Sequence, residues 1–342
     1  MQLPDLVAAE GGIQIMTGME LAKAYYETYG KQMLEEEFPK YVNRIAVGLA
    51  GEGSECFGFD DAISRDHDFG PSFCMWLTKE DYQVISEDLR RAYNMLPKDF
   101  YGYPPRKEEP YGGERVGVLC IDDFFCRQIG RGDAEFTLMG WLSLPETRLA
   151  TVTNGQVFTD PLGQFTAIRE KLLAFYPEDV RLKKMAARAA IMGQAGQYNY
   201  ARCMRRGETV AAQYALSQFI INTISMVFLL NRRYMPYYKW MHRGMLTLPL
   251  LGEEVGGLLK ELVENGVSMD AWEGLEISSA PQALNSADRN VLLIEQICRL
   301  IADELRRESL SSETNSFLTH HGISIMSRIR DPKIRSLHLM EG

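Results

Sequence analysis

The sequence is poor in residues that build metal-thiolate or disulfide frameworks. It contains five histidines and six cysteines, and no two cysteines form a CxxC pair. This spacing is typical of reduced thiols and disfavours both a disulfide scaffold and a structural zinc site. The adjacent histidines at 320–321 would point about 100° apart on a helix, so they do not suggest a metal site either.

The sequence also lacks a long apolar run and an excess of positive charge. The longest apolar run, FIINTISMVFLL at 219–230, is shorter than the roughly 20 residues that a bilayer requires, so it predicts a core helix. The N-terminus shows no charged segment followed by an apolar one, and no signal peptide is expected. We therefore expect a cytoplasmic protein without a membrane partner, and the net charge of −9 disfavours nucleic acid as a partner.

Helix and strand patterns alternate in the first half of the chain. Thr17 and Glu20 form a capping-box pattern before a helix that ends near Pro39, and Thr78 with Asp81 marks a second helix start. Strands are predicted in RIAVGLAG from Arg44, DHDFGPSFCMWL (66–77, with a bulge at Gly70–Pro71) and RVGVLCI (115–121). In LATVTNGQVFTD (149–160), the pair Asn154–Gly155 predicts a β-hairpin.

Helical patterns dominate from about residue 161 onward. One long helix is predicted to end near Gly207 and to pack antiparallel to the helix that follows it, with further helices near 252–265, 286–308 and 312–328. The sequence therefore predicts an α+β fold class: a mixed domain over 1–160 followed by a helical bundle over 161–342.

Like charges gather in GEGSECFGFDDAISRDHDFGP, residues 51–71, which holds six acidic residues. Asp66 and Asp68 would share one face of a strand, where two carboxylates repel each other unless a divalent cation joins them. Oxygen ligands favour Mg²⁺ or Mn²⁺. Gly53 and Ser54 follow the first strand, and such a turn brings backbone N–H groups close to a phosphate. A strand, a Gly-Ser turn and then an Asp-x-Asp pair on the next strand form a layout that predicts phosphoryl transfer from a bound nucleotide.

On these residues the chain resembles nucleotidyltransferases of the DNA polymerase β type. Their signature is a Gly-Ser or Gly-Gly pair followed, nine to thirteen residues later, by Asp-x-Asp or Asp-x-Glu. GS at 53–54 and DHD at 66–68 match it in order and spacing. The longer string GSECFGFDDAISRDHDFGP resembles the DUF4037 group, a branch related to the aminoglycoside nucleotidyltransferases. The resemblance implies a nucleotidyltransferase domain at 1–160, with a small mixed sheet flanked by helices, and a helical substrate or cap domain at 161–342.

The resemblance also implies a third carboxylate, as metal ligand or general base, on a later strand. Gly117 stands where that acid is expected. The candidates are Glu114 before the strand and Asp122 or Asp123 after it, although acids at 122–123 also suit the first turn of a helix. His67 should point away from the two aspartates.

Two cations are candidates for contacts to the nucleotide. Arg65 is expected to contact a phosphate or, alternatively, to be a surface charge or the partner of Asp60. The resemblance implies that the helical domain supplies a basic residue to the nucleotide, and Lys239 in LNRRYMPYYKW (230–240) is the candidate. The alternative for this segment is a packed helix break with solvent-directed cations.

The function expected from the resemblance is metal-dependent transfer of an NMP group from an NTP, ATP in the first instance, to a hydroxyl of a small molecule. A protein side chain is the second acceptor class. Because of Gly117, a catalytically degenerate protein that binds a nucleotide or a partner is the alternative from another class. The acceptor, the base preference and the oligomeric state are not determined by the sequence.

Overall fold

The computed structural model describes residues 16–65, 69–106, 115–274 and 284–342. The chain divides into two compact units. The first comprises Met1–Asp133 and Thr151–Glu170, and the second comprises Ala134–Ala150 and Lys171–Gly342. The sequence-predicted boundary after residue 160 falls within the second segment of the first unit.

The first unit contains a four-stranded mixed sheet in the order β3-β2-β1-β4. Its strands are β1 (Ala46–Leu49), β2 (Cys74–Leu77), β3 (Gly117–Cys120) and β4 (Gln156–Thr159). β1 pairs antiparallel with both β2 and β4, whereas β2 and β3 are parallel.

Helices make up most of the remaining described structure. In chain order they are α1 (Gly18–Tyr25), α2 (Lys31–Glu37), α3 (Ser54–Phe57), α4 (Lys79–Met95), α5 (Ile121–Ile129), α6 (Leu138–Ser143), α7 (Glu146–Thr153), α8 (Gln164–Leu173), α9 (Glu178–Met192), α10 (Ala201–Arg205), α11 (Thr209–Leu230), α12 (Met241–Met245), α13 (Gly252–Asn265), α14 (Arg289–Arg307), α15 (Leu318–Met326) and α16 (Pro332–Arg335). Two π-helical segments, Tyr26–Gly30 and Gly193–Tyr200, join α1 to α2 and α9 to α10. The α+β class is confirmed.

The sheet of the first unit is covered by apolar side chains on both faces. Alternate strand residues such as Val47, Met75 and Val118 belong to one buried cluster with residues of α1, α2 and α4. On the other face, Trp76 stacks on Phe165 at 4.0 Å between ring centroids. Because strand side chains alternate, a four-residue strand that is buried throughout must be covered on two sides.

The helix starts predicted in the first half are confirmed. Thr17 and Glu20 form a capping box, with Thr17 accepting a hydrogen bond from the Glu20 N–H. Thr78 caps α4 by accepting from the Asp81 N–H at 3.2 Å. Both caps satisfy backbone donors that a first helical turn leaves without intrahelical partners.

Two local predictions in the first unit are wrong. The residues before Asn154 form α7 rather than a strand, and β4 pairs with β1, so Asn154–Gly155 is not a hairpin turn. Gly70 and Pro71 precede β2 and form no bulge within it. A side chain at Gly70 would meet the Arg106 backbone at 2.7 Å, so a tertiary contact determines this conformation.

The second unit is built around an antiparallel pair of long helical segments, as predicted. Arg181 Nε donates to the Leu229 carbonyl at 3.1 Å, and Arg188 Nε donates to Ser225 Oγ at 2.9 Å. The helical run ends at Gly207, whose φ is +71°, as expected for a residue just beyond a helix.

Among the described residues, one helix, α11, is long and apolar enough to span a membrane by length and composition. Its most apolar window is 67% buried against the rest of the protein. Core helices of this kind satisfy the same criteria, and the burial agrees with the prediction of a core helix for 219–230.

Lys184 is buried in the second unit, and we expect it to make stability depend on pH. Burial lowers the pKa of Lys184 to about 8, with Glu146 raising and Arg188 lowering it. Its Nζ donates to the Leu142 carbonyl at 3.1 Å and lies over the Tyr176 ring. Between about pH 8 and 10.5 the unfolded chain holds this proton more tightly than the folded chain, so unfolding takes up protons.

The free energy of unfolding of wild type, relative to Lys184→Met, should therefore rise with pH across this window, by at most about 1.4 kcal/mol per pH unit. Urea denaturation at several pH values measures the difference, in which the titrations common to both proteins cancel. Lys260→Met, at an exposed lysine in α13 that pairs with Glu264, is the matched control. A flat or falling difference for Lys184→Met would contradict the prediction.

Candidate functional site

The Gly-Ser turn follows the first strand, as the sequence predicts. β1 ends at Leu49, the chain turns through Gly51, and α3 begins at Ser54 with Gly53 as its N-cap. Gly51 has φ +137°, a conformation that side chains disfavour. The turn therefore has the strand–turn–helix form expected of the first half of the motif.

Asn154 and Gly155, in the second segment of the first unit, hold this turn through hydrogen bonds. Asn154 Oδ1 accepts from the Gly51 N–H at 2.9 Å, and its Nδ2 donates to the Gly51 carbonyl at 2.7 Å. The Gly155 N–H donates to the Cys56 carbonyl at 2.7 Å. Arg169 in turn donates to the carbonyls of Asn154 and Gly155. The pair that the sequence assigns to a hairpin is thus a clamp on the Gly-Ser turn.

Asn154→Ala should destabilise the first unit by about 1–3 kcal/mol, because the part-buried Gly51 N–H and carbonyl would both lose a partner. Asn154→Asp keeps the acceptor and loses the donor, so its cost should be intermediate. Urea denaturation monitored by circular dichroism gives both values. Asn94→Ala, at an exposed position in α4, is the matched control and should cost nothing measurable. Equal stabilities for Asn154→Ala and Asn94→Ala would refute the clamp.

A buried ion pair lies next to the turn. Arg106 Nη1 and Glu55 Oε1 are 3.3 Å apart, and the two side chains are 7% and 6% exposed. Arg106 Nη1 also donates to Ser72 Oγ at 3.3 Å. Within the part of the chain that the structure describes, Arg106 Nε is buried without a hydrogen-bond partner.

Arg65 is half-buried rather than a free surface charge. Its Nη2 donates to the Met16 carbonyl at 3.1 Å, and its guanidinium lies 5.0 Å from the centroid of the Phe69 ring and 5.9 Å from that of Tyr103. Arg65 Nε is buried without a partner among the described residues. Its role in phosphate contact stays a prediction.

The acids Asp60 and Asp61 have structural roles. Asp60 Oδ2 accepts from the Gly18 N–H at 2.9 Å, in the first turn of α1. Asp61 Oδ1 accepts from the N–H groups of Ile63 and Ser64, which closes a local turn. Backbone N–H donors therefore stabilise two of the acidic side chains in residues 51–71.

The third strand supplies no carboxylate. β3 begins at Gly117, rather than holding it in the middle, and its other residues are the buried Val118, Leu119 and Cys120. Asp122 and Asp123 lie in the first turn of α5, as one interpretation of the sequence expected. The strand as the structure describes it therefore offers no acid to the site.

A small cleft beside the turn brings Asp123 to the same surface as Gly51 and Glu52. It has a volume of about 90 Å³, and its lining residues are Ala50, Gly51, Glu52, Tyr82, Arg115, Leu119, Cys120, Asp123, Phe124, Arg127 and Gln128.

The thiols near the turn are not poised as nucleophiles. Burial raises the pKa of Cys56 well above its usual value, and the nearby Glu55 raises it further. Burial likewise raises the pKa of Cys74 to about 12. Because the thiolate is the reactive form, covalent cysteine chemistry is not expected here.

Asp66, Asp68 and Glu114 lie outside the described residues, and so does His67. Within the described ranges, no group of three or more His, Cys, Asp or Glu side chains is arranged to hold a metal ion. The binding of Mg²⁺ or Mn²⁺ by Asp66 and Asp68 stays a prediction.

Lys239 belongs to the second unit and is exposed between α11 and α12. The same segment is also part of the core: Tyr234 is buried, and its hydroxyl donates to the Leu172 carbonyl at 2.7 Å. The segment thus combines a packed helix break with exposed cations, and a nucleotide contact by Lys239 stays a prediction.

Sequence reasoning missed Asn154 and Arg106 as residues of this site. The Asn154–Gly155 pair is a sequence pattern typical of hairpins, so it did not indicate contact with the Gly-Ser turn. Arg106 lies in a turn-rich stretch, PKDFYGYPPRK, that has no helix or strand periodicity. Neither pattern encodes a partner 103 or 51 residues away.

The described geometry defines a two-unit α+β protein with a glycine-rich turn at the end of its first strand. A model of the family described as "Domain of unknown function (DUF4037)" matches residues 141–241. The match covers Asn154 and Gly155 but not the Gly53–Ser54 turn that they hold. No curated protein matches the chain.

Among solved structures, the chain is similar to a nucleotidyltransferase-like protein from Exiguobacterium sibiricum 255-15. The identity is 12%, with a TM-score of 0.34, over 87% of this chain and 89% of the other. A likeness at this level carries no argument about activity.

Proposed function

We propose that the chain is a metal-dependent nucleotidyltransferase that moves an NMP group from an NTP, ATP in the first instance, to a hydroxyl of a small molecule. The observation that carries the proposal is the Gly53–Ser54 turn at the end of β1, held in place by Asn154. The Asp-x-Asp pair follows in sequence at the spacing of the polymerase β type signature. The DUF4037 match at 141–241 agrees with the group that the sequence resembles.

In this proposal the backbone N–H groups and the hydroxyl of the Gly53–Ser54 turn bind the phosphates. Asp66 and Asp68 bind Mg²⁺ or Mn²⁺, which when bound neutralises charge on the phosphate oxygens. Arg65 contributes positive charge to the nucleotide. The acceptor oxygen bonds to the α-phosphorus, the bond to the β-phosphate oxygen breaks, and pyrophosphate leaves.

The acceptor proton requires a base in this scheme. Glu114 is the candidate from the sequence, and Asp123 is the alternative because it shares the small cleft with Gly51 and Glu52. A carboxylate within hydrogen-bond reach of the acceptor would take the proton as the new P–O bond forms.

The absence of an acid on β3 favours a second candidate, a degenerate relative that binds a nucleotide without turning it over. Incubation of the protein with each NTP, Mg²⁺ or Mn²⁺ and a pool of hydroxylated metabolites separates the two. Pyrophosphate release that depends on protein, metal and a component of the pool supports the transferase. Nucleotide binding in calorimetry without any release supports the binding protein, and no binding of any NTP overturns both.

A further inference from the structure

The Glu55 side chain folds back along the Gly-Ser turn onto Gly53. A side chain placed at Gly53 would lie 2.4 Å from the carboxyl carbon and from both carboxylate oxygens of Glu55. A side chain at Gly18 would meet Glu55 Cβ at 2.5 Å. Glu55 is therefore wedged between the start of α1 and the turn, and its carboxylate lies against the Gly53 backbone.

A carboxylate at this position requires a compensating charge. Glu55 is 5% exposed, and burying an ionised carboxylate without a partner is costly. Arg106 supplies the charge through the 3.3 Å contact between its Nη1 and Glu55 Oε1. The negative charge next to the turn is thus balanced by a buried guanidinium.

Arg106 also connects the turn to the segment before β2. Its Nη1 donates to Ser72 Oγ, and Ser72 Oγ donates to the Gly70 carbonyl at 3.1 Å. The Gly70 backbone, with φ +147°, is packed against the backbone of Arg106. One guanidinium therefore holds the Gly53–Ser54 turn and the Gly70–Ser72 segment in a fixed relation.

We propose that Arg106 is a positioning residue for nucleotide binding, which sets the Gly53–Ser54 turn and cancels the Glu55 charge beside it. The inference rests on the proposed function, because the ligand is the anionic phosphate chain of an NTP. Without Arg106 the Glu55 carboxylate would repel a phosphate at the turn, whereas without the Glu55 charge Arg106 would attract it.

Removing Arg106 and removing the Glu55 charge should have opposite effects on the affinity for ATP. Calorimetry with ATP and Mg²⁺ should show about tenfold weaker binding for Arg106→Gln, and binding at least as tight as wild type for Glu55→Gln. Arg106→Lys keeps the charge and should recover most of the lost affinity. A purely structural pair would give losses of the same sign in both single variants, and that result would overturn the proposal.

Arg44→Gln is the matched control, because it breaks the Arg44–Asp81 pair of the same unit and should leave ATP affinity unchanged. If Arg106→Gln does not fold, the Arg106 charge can be removed in the double variant Glu55→Gln/Arg106→Gln. This variant leaves no buried carboxylate without a partner. The double variant should then bind ATP more weakly than Glu55→Gln, and equal affinities would overturn the proposal.

Hydrogen exchange separates this inference from the proposed function. If wild type binds no NTP with Mg²⁺ or Mn²⁺, the proposed function fails. Amide exchange at residues 51–58 still reports on the turn, and Arg106→Gln should raise it while Arg44→Gln should not. Equal exchange in the two variants would overturn the positioning role.

Discussion

Asp66→Asn should lower metal-dependent pyrophosphate release by about 100- to 1000-fold. An amide keeps the size of the side chain but removes the charge that would attract a divalent ion. If Asp66 is one of two acidic ligands, as proposed, its loss should also raise the Mg²⁺ concentration required for half-maximal rate. The rate is measured by pyrophosphate release with ATP and the active acceptor pool.

Asp60→Asn is the matched control for this prediction. It removes the same charge from the same stretch, and Asp60 accepts from the Gly18 N–H in the first turn of α1, a contact that an asparagine oxygen can also make. Its rate should stay within about threefold of wild type. A loss of equal size in both variants would show that general charge, and not a metal ligand at 66, determines the rate.

Gly155→Ala should destabilise the first unit by about 4 kcal/mol. Gly155 has φ +67°, and a Cβ at this position would lie 2.0 Å from the Leu49 carbonyl oxygen and 2.8 Å from Ala50 Cα. Both neighbours are backbone atoms at the end of β1, so no side-chain rotation relieves the overlap. Urea denaturation monitored by circular dichroism measures the loss.

Gly163→Ala separates backbone strain from steric overlap. Gly163 lies in the same unit and has φ +68°, but a Cβ there meets nothing within 4 Å. Gly163→Ala should lower the free energy of unfolding by only about 1 kcal/mol, which is the cost of placing an alanine in the left-handed conformation. If the two variants lose the same stability, close packing of Gly155 against β1 is not what fixes the turn.

Local signals in the sequence predicted most of the secondary structure. The caps at Thr17 and Thr78 depend on residues three positions away, so the sequence pattern contains both partners. The same holds for Gly207, because the end of a helix is determined by the residues next to it. The antiparallel pairing of the long helices followed from the short turn between them.

The errors arose where a distant partner decides the conformation. Asn154–Gly155 fits a hairpin by composition, but its partners are Gly51 and Cys56. Gly70 depends on the backbone of Arg106, and no periodicity announces that contact. Tertiary contacts of this kind override local turn chemistry.

The candidate site was predicted in part. The turn at Gly53–Ser54 follows from a short apolar strand ended by glycines, and the structure describes it in that form. The residues that hold it, Asn154 and Arg106, were not predicted, because each acts through a single contact across the fold. The metal ligands expected at 66 and 68 rest on spacing alone.

The location of a bound divalent ion tests the central claim most directly. Crystals grown with Mn²⁺ and a nonhydrolysable ATP analogue, measured for anomalous scattering, would give the ion and the phosphates in one map. We expect Mn²⁺ to be bound by the carboxylates of Asp66 and Asp68, with the phosphate chain against the backbone of Gly53 and Ser54. Mn²⁺ and phosphates bound together elsewhere in the protein would contradict it.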